Sequence, residues 1–137
     1  MAKQVPAQKA SETEKITINV GYVDLGSIDL LVKEGFYSNR TDFIRTAIRN
    51  QLSSHGPSVT RSIERRTLEL GLRVYDRAEL EAAKAAREKL HIKVVGLVRI
   101  PPDVSPELAR ATIASVTVLG AFQASAAVKK ALADRLL

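Results

Sequence analysis

Lys15, Thr17 and Asn19 alternate with Ile16, Ile18 and Val20 along the segment KITINV. Strict alternation is the period of a β-strand, so the two sets point to opposite faces. One face then carries an ammonium donor, a hydroxyl and an amide, and the other three branched apolar side chains. The polar trio is a set of hydrogen-bonding groups of the kind that reads base edges. A lone alternating strand more often only separates a wet face from a dry one, so the neighbouring elements must decide between the two.

Two short helical patterns come next in the chain. Asp24 is placed to cap a helix running to about Glu34, with Leu25, Ile28, Leu31 and Val32 on one stripe. Gly35 suits a left-handed C-terminal cap. Ser38 then opens a second helix with Asp42 in its first turn, and Phe43, Ile44, Ala47, Ile48 and Leu52 recur at helical spacing. A single strand with two helices leaves an unpaired edge and an exposed apolar stripe. A second copy cures both. Two strands pair antiparallel, four helices pack beneath them, and Ile16, Ile18, Val20, Phe43, Ile44 and Ile48 form a shared dimer core. Six polar side chains then stand on one two-stranded ribbon, a shape that fits the major groove of double-stranded DNA.

The segment KITINV…LLVKEGFYSNRTDFIRTAIRNQL, residues 15–55, resembles the ribbon-helix-helix regulators of the CopG/MetJ/Arc type. The run Gly35–Arg45 carries most of the likeness, together with the K-x-T-x-N strand before it. The resemblance implies a transcriptional regulator, a repressor, bacterial, with Lys15, Thr17 and Asn19 as base readers. It implies phosphate contacts from Ser38, Asn39, Arg40 and Thr41 at the start of the second helix. The family commonly reads bases with Arg or Gln. Here two of the three positions are short and neutral, which shifts weight toward shape readout.

The whole chain has 137 residues, a net charge of +6 and 45% apolar residues. The charge fits a polyanionic partner, but it is spread unevenly. Residues 1–56 hold seven Lys/Arg against six Asp/Glu, and the remainder fourteen against nine. The cluster Arg61, Arg65 and Arg66 reads as a solvated face. With no cysteine there are no disulfides or thiolate metal sites, and His55 and His91 lack metal-ligand spacing. No metal or cofactor is expected. Asp103 and Glu107 flank Ser105, but no histidine joins them in a triad pattern, and Gly96 and Gly120 form no phosphate-binding loop. No enzyme signature is present. No run is long enough for a membrane span and no secretory signal is legible, so a cytoplasmic, nucleoid-associated protein is expected.

The expected fold class is α+β, an N-terminal ribbon-helix-helix domain followed by a small C-terminal α/β-type domain. Residues 1–14 read as a flexible arm, 15–56 as the DNA-binding and dimerisation domain, 57–66 as a linker and 67–137 as the C-terminal domain. In that domain the strand candidates are Leu68–Tyr75, His91–Ile100 and Val116–Phe122. The helices are Arg77–Leu90, a short one capped by Ser105 with Pro106 first, and Ala126–Leu136. The echo between residues 94–98 and 117–121 is too short to define a repeat. Regulators of this type often carry such a domain for assembly, sensing or capture of a protein. Few aromatics are available to line a pocket, so assembly into a tetramer is favoured over a sensor and over an antitoxin-type partner site. A pure scaffold is the rival from another class, but it gives no reason for Lys, Thr and Asn in register.

Overall fold

The fold is that of a computed structural model, which describes residues 12–137. Most of the expected arm, residues 1–11, lies outside the described residues. The chain divides into a unit spanning Lys15–Ser62 and a second built from Ile63–Leu137 with Glu12–Glu14.

The first unit contains α1 (Tyr22–Lys33), α2 (Arg40–Ser54) and most of α3 (Gly56–Arg66). Gly21, not Asp24, is the N-cap of α1, and no side chain caps it. Asp24 instead sits in the first turn, where its charge suits the helix dipole. Gly35 ends α1 at φ +88°. Its N–H donates to the Val32 carbonyl, and that of Phe36 to the Leu31 carbonyl, the paired bonds of a Schellman cap. The stripe Leu25, Ile28, Leu31 and Val32 does face inward, yet Ile28 is the one buried hydrophobic residue of this unit, and the other three are half-buried.

Two expectations change. Lys15–Val20 forms no strand ladder, and Ile16 and Ile18 are 72% and 64% exposed. A strand is held by bonds to a neighbouring strand, and a single chain supplies none to this segment. The stretch expected as a linker is helical, since α3 begins two residues after α2 ends. Pro57 falls in the first turn of α3, where its missing N–H costs nothing.

The second unit is a three-stranded, all-parallel sheet in the order β1 (Glu69–Val74), β2 (Leu90–Arg99), β3 (Ile113–Gln123). Helices α4 (Arg77–Ala85) and α5 (Pro106–Thr112) make the two crossovers, and α6 (Ala126–Ala131) follows β3. Each helix has a side-chain cap, from Asp76, Ser105 and Ser125. Leu80, Leu108, Ala109, Val128 and Leu132 from the helical segments join Ile92, Val94, Val98 and Val116 from the strands in one core. The helices therefore cover one face of the sheet.

The expected helix to Leu90 stops at Ala85, because Leu90 is drawn into β2 opposite Ile113. Arg87 takes the left-handed turn there, at φ +56°, a role more often given to glycine. The expected closing helix to Leu136 is α6 plus a 3-10 turn, Ala133–Arg135, after which the Leu137 N–H bonds the Val116 carbonyl at 2.8 Å.

The echo at Gly96 and Gly120 extends to a third member. Gly71, Gly96 and Gly120 are paired across the sheet in one row, at φ +127°, +137° and +123°. A Cβ on Gly96 would lie 2.1 Å from the Gly71 carbonyl oxygen, and one on Gly120 2.0 Å from that of Gly96. A Cβ on Gly71 would meet nothing. Gly71→Ala is therefore expected to cost about 1–2 kcal/mol from backbone conformation alone. Gly96→Ala should cost more, because a backbone carbonyl must also move. Chemical denaturation of the two variants ranks them, and equal losses would refute the close approach.

Candidate nucleic-acid interface

Lys15, Thr17 and Asn19 all lie exposed ahead of α1, on chain that forms neither helix nor strand. They alternate with Ile16, Ile18 and Val20 in sequence, and all six are exposed, with no second strand to fix the face they present. Further along, Ile44 and Ile48 are exposed on α2, and Phe43 is half-buried with its ring edge-on to Tyr37 at 5.0 Å. Of the six residues expected in a dimer core, none is buried within one chain.

The start of α2 is built by a reciprocal cap. Asn39, in extended conformation, accepts the Asp42 N–H at 2.8 Å, and the Asp42 carboxylate accepts the Ser38 N–H at 2.9 Å. Asn39 is therefore the cap and Ser38 precedes it, a correction to the expected order. Short polar side chains occupy both positions, and the extended backbone at Asn39 decides which one reaches the third helical residue. Arg40 and Thr41 occupy the first two helical positions, whose N–H groups have no intrahelical acceptor. Asp42 already supplies one negative charge at this terminus.

Arg40 does not extend freely into solvent. Its Nε and Nη2 donate to the two carboxylate oxygens of Asp29 at 2.7 and 2.8 Å, tying α2 to α1. These bonds hold the Asp29 carboxyl below its ordinary pKa and raise that of Arg40. The pair's contribution is thus present above the unfolded aspartate pKa and fades as pH falls through the lowered folded value. Both side chains are exposed, so the fork positions a guanidinium more than it stabilises the fold. Asp29 was not legible as a site residue. It lies eleven positions from Arg40, and only the helical hairpin brings them together.

Other polar candidates are spent on local structure. The Ser105 hydroxyl accepts the Leu108 N–H at the start of α5, and His91 Nδ1 pairs with the Ser115 hydroxyl at 2.8 Å. Among the described residues no group of three or more His, Asp or Glu side chains gathers to hold a metal, and no helix is long and apolar enough to cross a membrane.

The first unit is thus a helical hairpin preceded by an alternating segment, with apolar side chains left exposed on both. The model of the Ribbon-Helix-Helix transcriptional regulator family matches residues 11–129, and the chain belongs to that family. The match covers both units and ties the chain to DNA-binding and transcription regulation as a class of function. No curated protein and no solved structure matches the chain.

Proposed function

We propose that two chains pair their Lys15–Val20 segments antiparallel and insert the resulting ribbon into the major groove of an operator, acting as a bacterial repressor at the nucleoid. Lys15, Thr17 and Asn19 of each chain read base edges. Arg40, Thr41 and the first-turn N–H groups of α2 hold the phosphates on either side. The observation that carries this reading is the unsatisfied first unit. Ile16, Ile18, Ile44 and Ile48 are all exposed in a family member whose first unit buries only Ile28 among its hydrophobic residues. Burial of such side chains between two copies is worth about 1.5–3 kcal/mol each. The second unit joins two such dimers into a tetramer, so that paired half-sites are held together.

Selection of binding sites from random duplex DNA, followed by footprinting, tests the reading directly. A two-fold symmetric site is expected, and absence of any enriched sequence refutes it. A second test uses the Asp29–Arg40 fork. Arg40→Ala should weaken operator and non-operator DNA by similar factors, with the slope of log K against log salt falling by about one unit for each phosphate left without its cation. Asp29→Asn removes the competing carboxylate and should strengthen binding to any duplex, most at low salt. If Asp29→Asn leaves non-specific affinity unchanged, Arg40 is not a phosphate ligand.

A further inference from the structure

The two edges of the sheet in the second unit differ. The outer edge of β3 is bridged by the chain's own end, where Val116 pairs with Leu136 and its carbonyl accepts the Leu137 N–H. Beside β1, no strand among the described residues lies on the outer side. The Tyr75 N–H donates to the Arg99 carbonyl of β2 at 3.0 Å, so by alternation Glu69, Gly71 and Arg73 turn their backbone groups toward β2. The N–H and C=O groups of Leu70 and Leu72 then point outward. The Val74 carbonyl points the same way and accepts from Arg73 Nη1 at 3.2 Å, a side chain standing where a strand would. Edges left to water are commonly blunted by lysine, proline or a bulge. β1 has none of these. Its register with β2 runs unbroken from Glu69 to Val74, and Leu70 and Leu72 are 72% and 53% exposed.

We propose that β1 pairs antiparallel with β1 of a second copy, about a two-fold axis at Gly71, and that this edge joins the two dimers; the proposal rests on the tetramer reading above. The run Glu69-Leu70-Gly71-Leu72-Arg73 is complementary to its own reverse. About that axis Leu70 of one chain lies opposite Leu72 of the other, and the outward backbone groups of each donate to and accept from those of its opposite. Glu69 lies opposite Arg73 on both sides of the axis, and opposite charges directly across a strand pair are favourable. Parallel pairing in register would set Glu69 beside Glu69 and Arg73 beside Arg73. Gly71 meets its own copy, where two backbones approach with no Cβ between them. Arg73 has a nitrogen to spare for the incoming carboxylate. Its Nη1 and Nη2 donate to Glu79 at 3.1 and 2.6 Å, whereas its Nε stands 3.7 Å from the Glu69 carboxylate of its own chain, outside hydrogen-bond range. One edge is a short interface. Each proposed ribbon dimer carries two, so contact made by one raises the effective concentration for the other.

The test uses the full chain. Sedimentation of wild type is expected to show a dimer–tetramer equilibrium. Leu72→Pro removes an outward N–H from each edge and should raise the tetramer dissociation constant by about 10–100-fold, since the loss occurs on both sides of the axis. Proline is tolerated at such an edge position, because no bond to β2 is lost. Leu70→Lys places a charge between the paired leucines and should act in the same direction. Its position is exposed, so its melting profile should stay close to that of wild type. The register has its own readout, because the chain contains no cysteine. Leu70→Cys and Leu72→Cys in one chain should cross-link two chains on mild oxidation, and either substitution alone should not, since only opposite positions come within disulfide reach. A wild type that remains dimeric overturns the edge together with the tetramer reading. A tetramer indifferent to both Leu72→Pro and Leu70→Lys, or cross-linking by a single substitution, overturns the edge and leaves the tetramer reading standing. Binding of Leu70→Lys to a single-site duplex is measured alongside, and retained binding with a weakened tetramer supports the assignment.

Discussion

Ile18→Lys is expected to abolish pairing of the first units and with it binding to any duplex. In the proposed ribbon dimer Ile18 faces the shared core, and the two-fold axis brings two copies of the substitution into one small interior. Burying an unpaired ammonium costs several kcal/mol, and here the cost arises twice. The first unit has no reserve to absorb it, because its own packing buries Ile28 alone among the hydrophobic residues. The expected loss of DNA affinity is therefore at least about 10³-fold. Ile18→Val is the control. It keeps the shape of the strand and should cost only about 0.5–1.5 kcal/mol per site. The second unit keeps its own core of Leu80, Ile92, Val98 and Val128, so circular dichroism of Ile18→Lys should lose helix from α1 and α2 and retain the α/β signal. A lysine variant that binds duplex about as well as wild type would show that Ile18 is not interior to a dimer.

Helices α1 and α2 and the strands of the second unit are legible because their periodicities are local, whereas α3 reads as a linker. The stripe from Leu25 to Val32 and the branched run from Ile92 to Val98 declare their elements without reference to the rest of the chain. Lys15–Val20 reads as an alternating segment, but it forms no ladder, since one chain offers it no partner strand. The cap of α2 falls one residue later than sequence suggests because Ser38 and Asn39 are equally good cap types, and only backbone conformation separates them. Helix α4 is shorter than its Ala-rich sequence suggests because pairing of Leu90 with Ile113 overrides helix propensity. The glycine row had a signal, a leucine or valine followed by glycine at residues 70–71, 95–96 and 119–120. It became a repeat only when the parallel register set the three glycines side by side. The Arg40–Asp29 fork had no sequence signal, since neither spacing nor composition links those positions.

Replacing Lys15, Thr17 and Asn19 together with alanine should leave the dimer intact and remove its preference for one sequence. All three side chains are exposed, so their truncation opens no core and leaves the Arg40–Asp29 fork in place. Each base contact removed costs on the order of 1–3 kcal/mol, and the two-fold axis doubles every loss. Specific and non-specific affinities of such regulators commonly differ by about 10³–10⁷, so removing the trio from both chains is enough to bring the two together. Affinity for the selected operator should fall by at least about 10³-fold, while affinity for unrelated duplex changes by much less. The salt dependence separates the roles within the trio. Lys15→Ala alone should flatten the slope only if Lys15 also neutralises a phosphate, whereas Thr17→Ala and Asn19→Ala should leave the slope unchanged and alter preference at distinct positions of the site. Thr and Asn are short, so part of the preference is expected to come from how easily the site bends or narrows. That part survives in the triple variant as a weak bias at positions no side chain reaches. Competition between the selected operator and scrambled duplex at several salt concentrations decides the matter. A triple variant that keeps the wild-type preference at every position would remove these three residues from the reading surface.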